Sequence, residues 1–254
     1  MLTLKNISYQ IKDKTLVEDV SANFQEGKIN LILGPNGAGK STLIKLMSGE
    51  LKPSSGQVFV EDEPLVQIPL AQQAKFRAVL SQNLELSFPL KVHEVVMMGR
   101  YPHFESKPQE VDKAICDQAM DRFDLQQMAH RNYLTLSGGE KQRVQFARVF
   151  AQIWQASALK PRLLLLDEPL TFLDIYYQYE LMQQIKDFMK SNPDLTVIGV
   201  IHDLNIAAHF AEHTFLMKAS QLFKQGITAK VLTEENIYEV FKVRVKDRFM
   251  MDKL

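Results

Sequence analysis

Gly34-Pro35-Asn36-Gly37-Ala38-Gly39-Lys40-Ser41 decides the fold, because it fits the pattern G-x-x-x-x-G-K-[ST] and follows an apolar run from Lys28 to Leu33. The run suits a buried strand, so a strand, a loop and then a helix are implied. Glycines let successive backbone N–H groups turn inward around phosphate oxygens, and the following helix presents its positive end to them. In that pattern Lys40 reaches the terminal phosphates and Ser41 ligates magnesium, with Thr42 next along the helix. ATP and Mg2+ are the ligands expected.

Alone, this loop also fits a nucleotide kinase or a small GTPase. A second glycine motif, Leu136-Ser137-Gly138-Gly139-Glu140, removes that ambiguity. Its S-x-x-E spacing is that of a capping box, and the run from Lys141 to Gln155 places Val144, Ala147 and Ala151 on one helical face. A cap alone does not call for glycines, each of which costs up to about 1 kcal/mol relative to alanine in a helix. Bare N–H groups and a serine hydroxyl at a helix start are what a phosphate needs, so anion binding is the preferred reading.

With both motifs in this order, ahead of an acidic strand end, the chain resembles the ATP-binding cassette family over nearly its whole length. The resemblance implies an α/β P-loop ATPase core with a parallel sheet, an antiparallel β subdomain and a helical subdomain. It also implies a head-to-tail pair in which Ser137, Gly138, Gly139 and Glu140 of one subunit close on the ATP held by the other. One copy of each motif per chain makes an identical chain the simplest partner.

Leu163-Leu164-Leu165-Leu166 is apolar without alternation, as a parallel strand buried on both faces should be, and it ends in Asp167-Glu168. Asp167 is expected to act on magnesium directly or through its water shell, and Glu168 to polarise the attacking water as general base. A second apolar stretch, Thr196 to Ile201, delivers His202 and Asp203 to the same sheet edge, where ligand sites of open α/β sheets gather. By the resemblance His202 senses the γ-phosphate, and Gln82 is the glutamine that reaches magnesium and the water. The resemblance likewise places Tyr9 on the adenine, although a tyrosine in an amino-terminal strand also serves as core. Asp174 matches the family's dimer-contacting loop. The preceding Leu170-Thr171-Phe172-Leu173 departs from the usual Thr-Ser-Ala-Leu, a difference that falls on the detailed contacts of that loop across the dimer.

At 254 residues and 46% hydrophobic content, the chain suffices for one large domain, 1–254, with an inserted helical subdomain at roughly 84–158. The first strands and Gly56 to Glu61 are expected to form the antiparallel region. The tail from Thr214 reads as a strand, a turn at Gly226, a helix from Thr233 to Phe241 and a short strand around Val243 to Val245. Lys and Arg balance Asp and Glu at 30 each, so the basic excess of many nucleic-acid binders is absent. Cys116 is the only cysteine, which forbids an intrachain disulfide and suits a reducing cytosol. No signal pattern and no run of about 18 apolar residues is present, so any transport pathway is expected in another polypeptide.

The run Gly99-Arg100-Tyr101-Pro102-His103 is similar to importers of iron chelates, cobalamin and haem. Together with Leu86-Ser87-Phe88-Pro89 and Phe150-Ala151-Gln152-Ile153-Trp154, it gives the closest resemblance to the ATPase subunit of bacterial haem importers. That implies two copies of a membrane permease, an external or periplasmic substrate-binding protein, and a peripheral place on the cytoplasmic face of the inner membrane. Tyr101 or Phe104 would then be part of the permease contact. A siderophore or cobalamin importer, and a soluble mechanoenzyme of the same family, are the alternatives. His209 and His213, spaced i,i+4, share a helical face that could hold a metal, but no third ligand can be assigned. The methionines read as core filler or partner surface.

Overall fold

The computed structural model describes residues 2–81, 86–157, 160–171 and 173–244. In chain order the elements are β1 (Leu2–Ile11), β2 (Lys14–Asn23), β3 (Ile29–Leu33), α1 (Lys40–Met47), β4 (Ser55–Val60), β5 (Glu63–Pro64), α2 (Leu70–Phe76) and β6 (Arg77–Leu80). There follow α3 (Val92–Met97), α4 (Glu110–Arg122), α5 (Gly138–Gln152), β7 (Leu163–Asp167), α6 (Ile175–Lys190) and β8 (Thr196–Val200). The chain closes with α7 (Leu204–Phe210), β9 (His213–Lys218), β10 (Gln221–Ile227), α8 (Thr228–Val231) and α9 (Glu234–Phe241).

Two sheets organise these elements. One is four-stranded and antiparallel, in the order β2-β1-β4-β5; the other is six-stranded, in the order β10-β9-β3-β8-β7-β6. In the larger sheet β9, β3, β8, β7 and β6 run parallel and β10 is antiparallel to β9. The uninterrupted leucines of β7 follow from double burial. Leu164 and Leu166 enter the cluster formed with the helices, while Leu163 and Leu165 enter the cluster under α1 and the antiparallel sheet. Truncating a leucine so placed costs about 2–5 kcal/mol.

Between β6 and β7 the chain builds a helical layer from α3, α4 and α5. Its central helix, α5, buries Val144, Ala147 and Ala151 completely, the face read from the sequence. The six residues Met98–His103 form a 3₁₀ turn clamped to α5. Gly99 permits this, since a Cβ there would lie 2.1 Å from the Arg148 carbonyl oxygen. Arg100 then reaches Asp112 and the Ala151 carbonyl, and a ring nitrogen of His103 lies 2.7 Å from the Gln152 carbonyl. In the conspicuous Gly-Arg-Tyr-Pro-His run Gly99 and Arg100 are thus buried and Pro102 and His103 half-buried, with Tyr101 left exposed against the edge of Phe104.

The tail departs from the expectation. Gly226 lies inside β10, and the turn is made by Ala219 and Ser220, both with positive φ, at 47° and 67°. Two consecutive left-handed residues give the twist a tight hairpin needs, and neither residue type advertises it. The helix stands where it was read, capped by Thr233, but Lys242 turns left-handed after it and Val243 joins no strand. Val245 lies outside the described residues. His209 and His213 do not share a helix, because α7 ends at Phe210 and His213 opens β9. Among the described residues no group of three or more His, Cys, Asp or Glu could hold a metal.

Candidate active site

Three adjacent parallel strands bring the motifs to one edge. β3 runs into the phosphate loop, its neighbour β8 leads to His202, and β7, next along, ends in Asp167. A cleft of about 560 Å³ opens there, lined by Lys14, Leu16, Asn36, Gly37, Gly39, Lys40, Ser41, Thr42, Glu168 and His202. Gly39 caps α1 with φ 94°, and a Cβ on it would lie 2.2 Å from the Leu16 carbonyl oxygen, so only glycine fits. Ala38 is buried beneath the loop.

Lys40 is buried, and its Nζ donates to the carbonyls of Gly34 at 2.9 Å and Pro35 at 3.0 Å. Burial lowers its pKa, while the nearby carboxylates of Glu168 and Asp167 pull it back up. The Ser41 hydroxyl donates to Asp167 Oδ1 at 2.9 Å. Burial raises the Asp167 carboxyl in spite of that hydrogen bond. A hydroxyl and a carboxylate oxygen side by side are hard donors of the kind magnesium takes, and so few that phosphate and water can complete the shell. The residues present therefore fit that ion.

Glu168 has φ 50°, a left-handed backbone rare for a side chain of its kind and worth about 1–3 kcal/mol of strain. That conformation turns its carboxylate into the cleft, where Oε1 lies 2.9 Å from His202 Nε2. The loop behind it is tied down at several points. Thr171 Oγ1 donates to the Glu168 carbonyl at 3.0 Å, Gln142 Nε2 to the Pro169 carbonyl at 2.6 Å, and Gln178 Nε2 to the Leu173 carbonyl at 2.9 Å. Leu170 is buried, so its departure from the family pattern serves packing. Asp203 caps α7 by accepting from the amides of Asn205 and Ile206.

The signature residues stand apart from this cleft; none of them lines it. The capping box forms: the Glu140 amide donates to Ser137 Oγ at 3.3 Å and the Ser137 amide to Glu140 Oε2 at 2.7 Å. The latter bond holds the Glu140 carboxyl below its ordinary value. A Cβ added at Gly138 would meet nothing within 4 Å, so the chain's own packing does not require glycine there. Asp174 caps α6, accepting from the Tyr177 amide at 3.1 Å. Tyr9 is half-buried against the cluster beneath the antiparallel sheet and does not line the cleft. Lys14 and Leu16, not singled out in the sequence, line it from β2. Gln82 and Phe172 lie outside the described residues.

A family model described as ABC transporter matches residues 17–171, and the chain belongs to that family. Hemin import ATP-binding protein HmuV of Gloeobacter violaceus is 42% identical over 235 residues, covering 92% of this chain and 85% of that protein. The protein of the same name from Escherichia coli O157:H7 is 40% identical, covering 92% and 90%. A metal-chelate type ABC transporter in an inward-facing conformation superposes with a TM-score of 0.79 at 27% identity, over 96% of this chain and 89% of that one. A dimeric bacterial ABC transporter cassette, MJ0796, gives 0.78 at 25% identity, over 90% and 99%. The chain is therefore an ATPase that couples ATP hydrolysis to transport, and ATPase subunits of this class work with a membrane permease. Among the described residues no helix is long and apolar enough to cross a membrane.

Proposed function

We propose that this chain, as one nucleotide-binding domain with a helical subdomain at roughly 84–158, powers the import of haem through a separate permease. The likeness to proteins named for hemin import, at about 40% identity over more than nine-tenths of the chain, carries the substrate. The Glu168–His202 pair facing the phosphate loop carries the chemistry. Tyr101 and Phe104, exposed and half-buried on the helical layer, suit a contact with the permease.

In this reading the amides of Asn36 to Lys40 cradle the phosphates, and Lys40 exchanges the Gly34 and Pro35 carbonyls for phosphate oxygens. Ser41, Asp167 and Gln82 would hold Mg2+, which neutralises charge on the phosphates. Glu168 takes a proton as the water oxygen bonds to the γ-phosphorus and the bond to the bridging oxygen breaks, giving ADP and phosphate. His202 keeps the Glu168 carboxylate aimed at that water. Two identical chains close head to tail on two ATP molecules, and the open space around Gly138 supports the approach of a second subunit. Closure and reopening would drive two permease copies fed by an external or periplasmic binding protein, with this subunit on the cytoplasmic face of the inner membrane.

The test is to isolate tagged Glu168→Gln from native membranes in ATP and magnesium, identify what co-purifies, and assay the wild-type complex for haem-stimulated ATP turnover. A multi-span permease and haem stimulation are expected. A permease without a haem response overturns the substrate, and ribosomal or DNA-bound partners overturn the importer. Ser137→Arg should leave ATP binding by the single chain intact and abolish ATP-driven dimers; normal dimerisation would reject the composite site.

A further inference from the structure

We infer that Gln142 is a positioning residue that links the signature helix to the general base of its own subunit. The inference rests on the proposed roles of Glu168 and the signature, and it concerns how the two sites of a pair communicate.

Gln142 lies one turn into α5, the helix that begins at the signature, and its Nε2 donates to the Pro169 carbonyl at 2.6 Å. Pro169 follows Glu168, whose left-handed backbone aims the carboxylate at the cleft. The same helix also faces the loop at Gly139, where an added Cβ would lie 3.7 Å from Leu173 Cδ2. The carbonyls of Pro169, Leu170 and Leu173 are thus held from two sides by glutamine amides. Gln142 holds that of Pro169 from α5, and Gln178 holds those of Leu173 at 2.9 Å and Leu170 at 3.4 Å from α6.

The two tethers differ in what lies at the other end of the helix. The start of α6 carries Asp174, which is engaged as its own cap. The start of α5 carries the signature, in which Ser137 and Glu140 likewise form a cap, but it lies off its own cleft and Gly138 faces open space where a nucleotide on another subunit can approach. A small displacement of α5 on engagement therefore reaches Pro169 directly, and the adjoining left-handed residue converts it into a change of carboxylate position. A cavity of about 180 Å³ beside Glu168, Leu170, Thr171, Gln178 and His202 gives that segment room to adjust. Each site would then fire fully only when its own subunit's signature has closed on the opposite ATP. That is positive coupling between sites through one two-position element.

The experiment compares Gln142→Leu with Gln178→Leu, both nearly isosteric and both without the donor. ATP affinity, ATP-dependent dimerisation in the Glu168→Gln background, and the ATP dependence of turnover are measured on the full chain. Both substitutions loosen the loop and should lower kcat about tenfold at unchanged ATP affinity, a modest misplacement of a reacting group. Only Gln142→Leu should also turn a sigmoidal ATP dependence into a hyperbolic one, and Gln142→Lys, which restores a donor of similar reach, should recover it. Equal sigmoidicity in both variants, or a hyperbolic wild type, overturns the link. If Gln142→Leu does not fold, Gln142→Lys beside Gln142→Glu makes the same comparison of donor against acceptor. A wild type that hydrolyses no ATP, or a Glu168→Gln enzyme that turns over normally, would instead remove the reading beneath.

Discussion

Two buried cationic side chains, Arg100 in the helical layer and Lys40 at the sheet edge, are handled in opposite ways. Arg100 spends Nε on Asp112 at 3.0 Å, Nη1 on the Ala151 carbonyl at 2.8 Å and Nη2 on Gln155 at 3.3 Å. Asp112 is also occupied on its other oxygen, where it accepts from the Gln109 amide. Lys40 rests on two main-chain carbonyls and shares its surroundings with two carboxylates it does not bond. The first arrangement is closed, with its partners supplied by the fold. The second is a set of charges in a low-dielectric wall, arranged so that an incoming polyphosphate and cation improve it. Closed clusters hold structure and open ones perform chemistry, so removal of a member should fall on different observables.

The largest effect is expected in the closed cluster. Asp112→Ala leaves Arg100 buried without its carboxylate and should cost about 3–5 kcal/mol in denaturant unfolding. Hydrolysis by the fraction that remains folded should be near normal. A loss under about 1 kcal/mol, the range of exposed pairs, would erase the contrast. Next in size is Glu168→Gln, for which ATP binding should persist while turnover falls at least about a hundredfold, with the unfolding midpoint no lower than in the wild type. Near-normal turnover would show that the general base lies elsewhere.

How much of this was legible in the sequence follows the same divide. Motifs whose chemistry is local in the chain, from Gly34 to Ser41 and from Ser137 to Glu140, could be read because the loop and the helix start are adjacent residues. The doubly buried strands β3, β7 and β8 could be read because unbroken apolar runs have few other uses. Long-range choices were silent. Nothing in a lone glutamine announces that Gln142 will meet Pro169, and nothing around Lys14 or Leu16 says that β2 will wall the cleft. The turn at Ala219-Ser220 was hidden because the fold imposes a left-handed backbone on residues that do not favour it, which drew the reading to Gly226. The signature was legible twice over, since the same spacing encodes a cap that the structure forms and glycines that the cap does not need.

Lys40→Ala sharpens the comparison from the open side. One charge-assisted hydrogen bond to phosphate is worth about 1.5–3 kcal/mol, so ATP affinity should fall about ten- to a hundredfold in equilibrium binding. Stability should hold or rise slightly, because a desolvated ammonium is removed from burial. Lost stability with intact affinity would place Lys40 in the same class as Arg100.

The smallest effect belongs to Cys116, which lies in the helical layer with its Sγ 3.8 Å from Met97 Sδ. Burial pushes this thiol from an ordinary value of 9.0 up to about 12, opposed by the Arg100 charge. Only the thiolate reacts, so alkylation of the folded chain should stay slow as pH is raised through 9.0. In denaturant the rate should climb through that same range. The sign for stability follows: the unfolded thiol ionises first, so whatever the buried neutral thiol contributes is complete below pH 9.0 and is lost as pH rises toward about 12. Cys116→Ala should flatten that alkaline decline without altering turnover. Fast alkylation of the folded chain would mean that the helical layer opens readily around Arg100. The closed cluster would then be no more rigid than the open one it is set against.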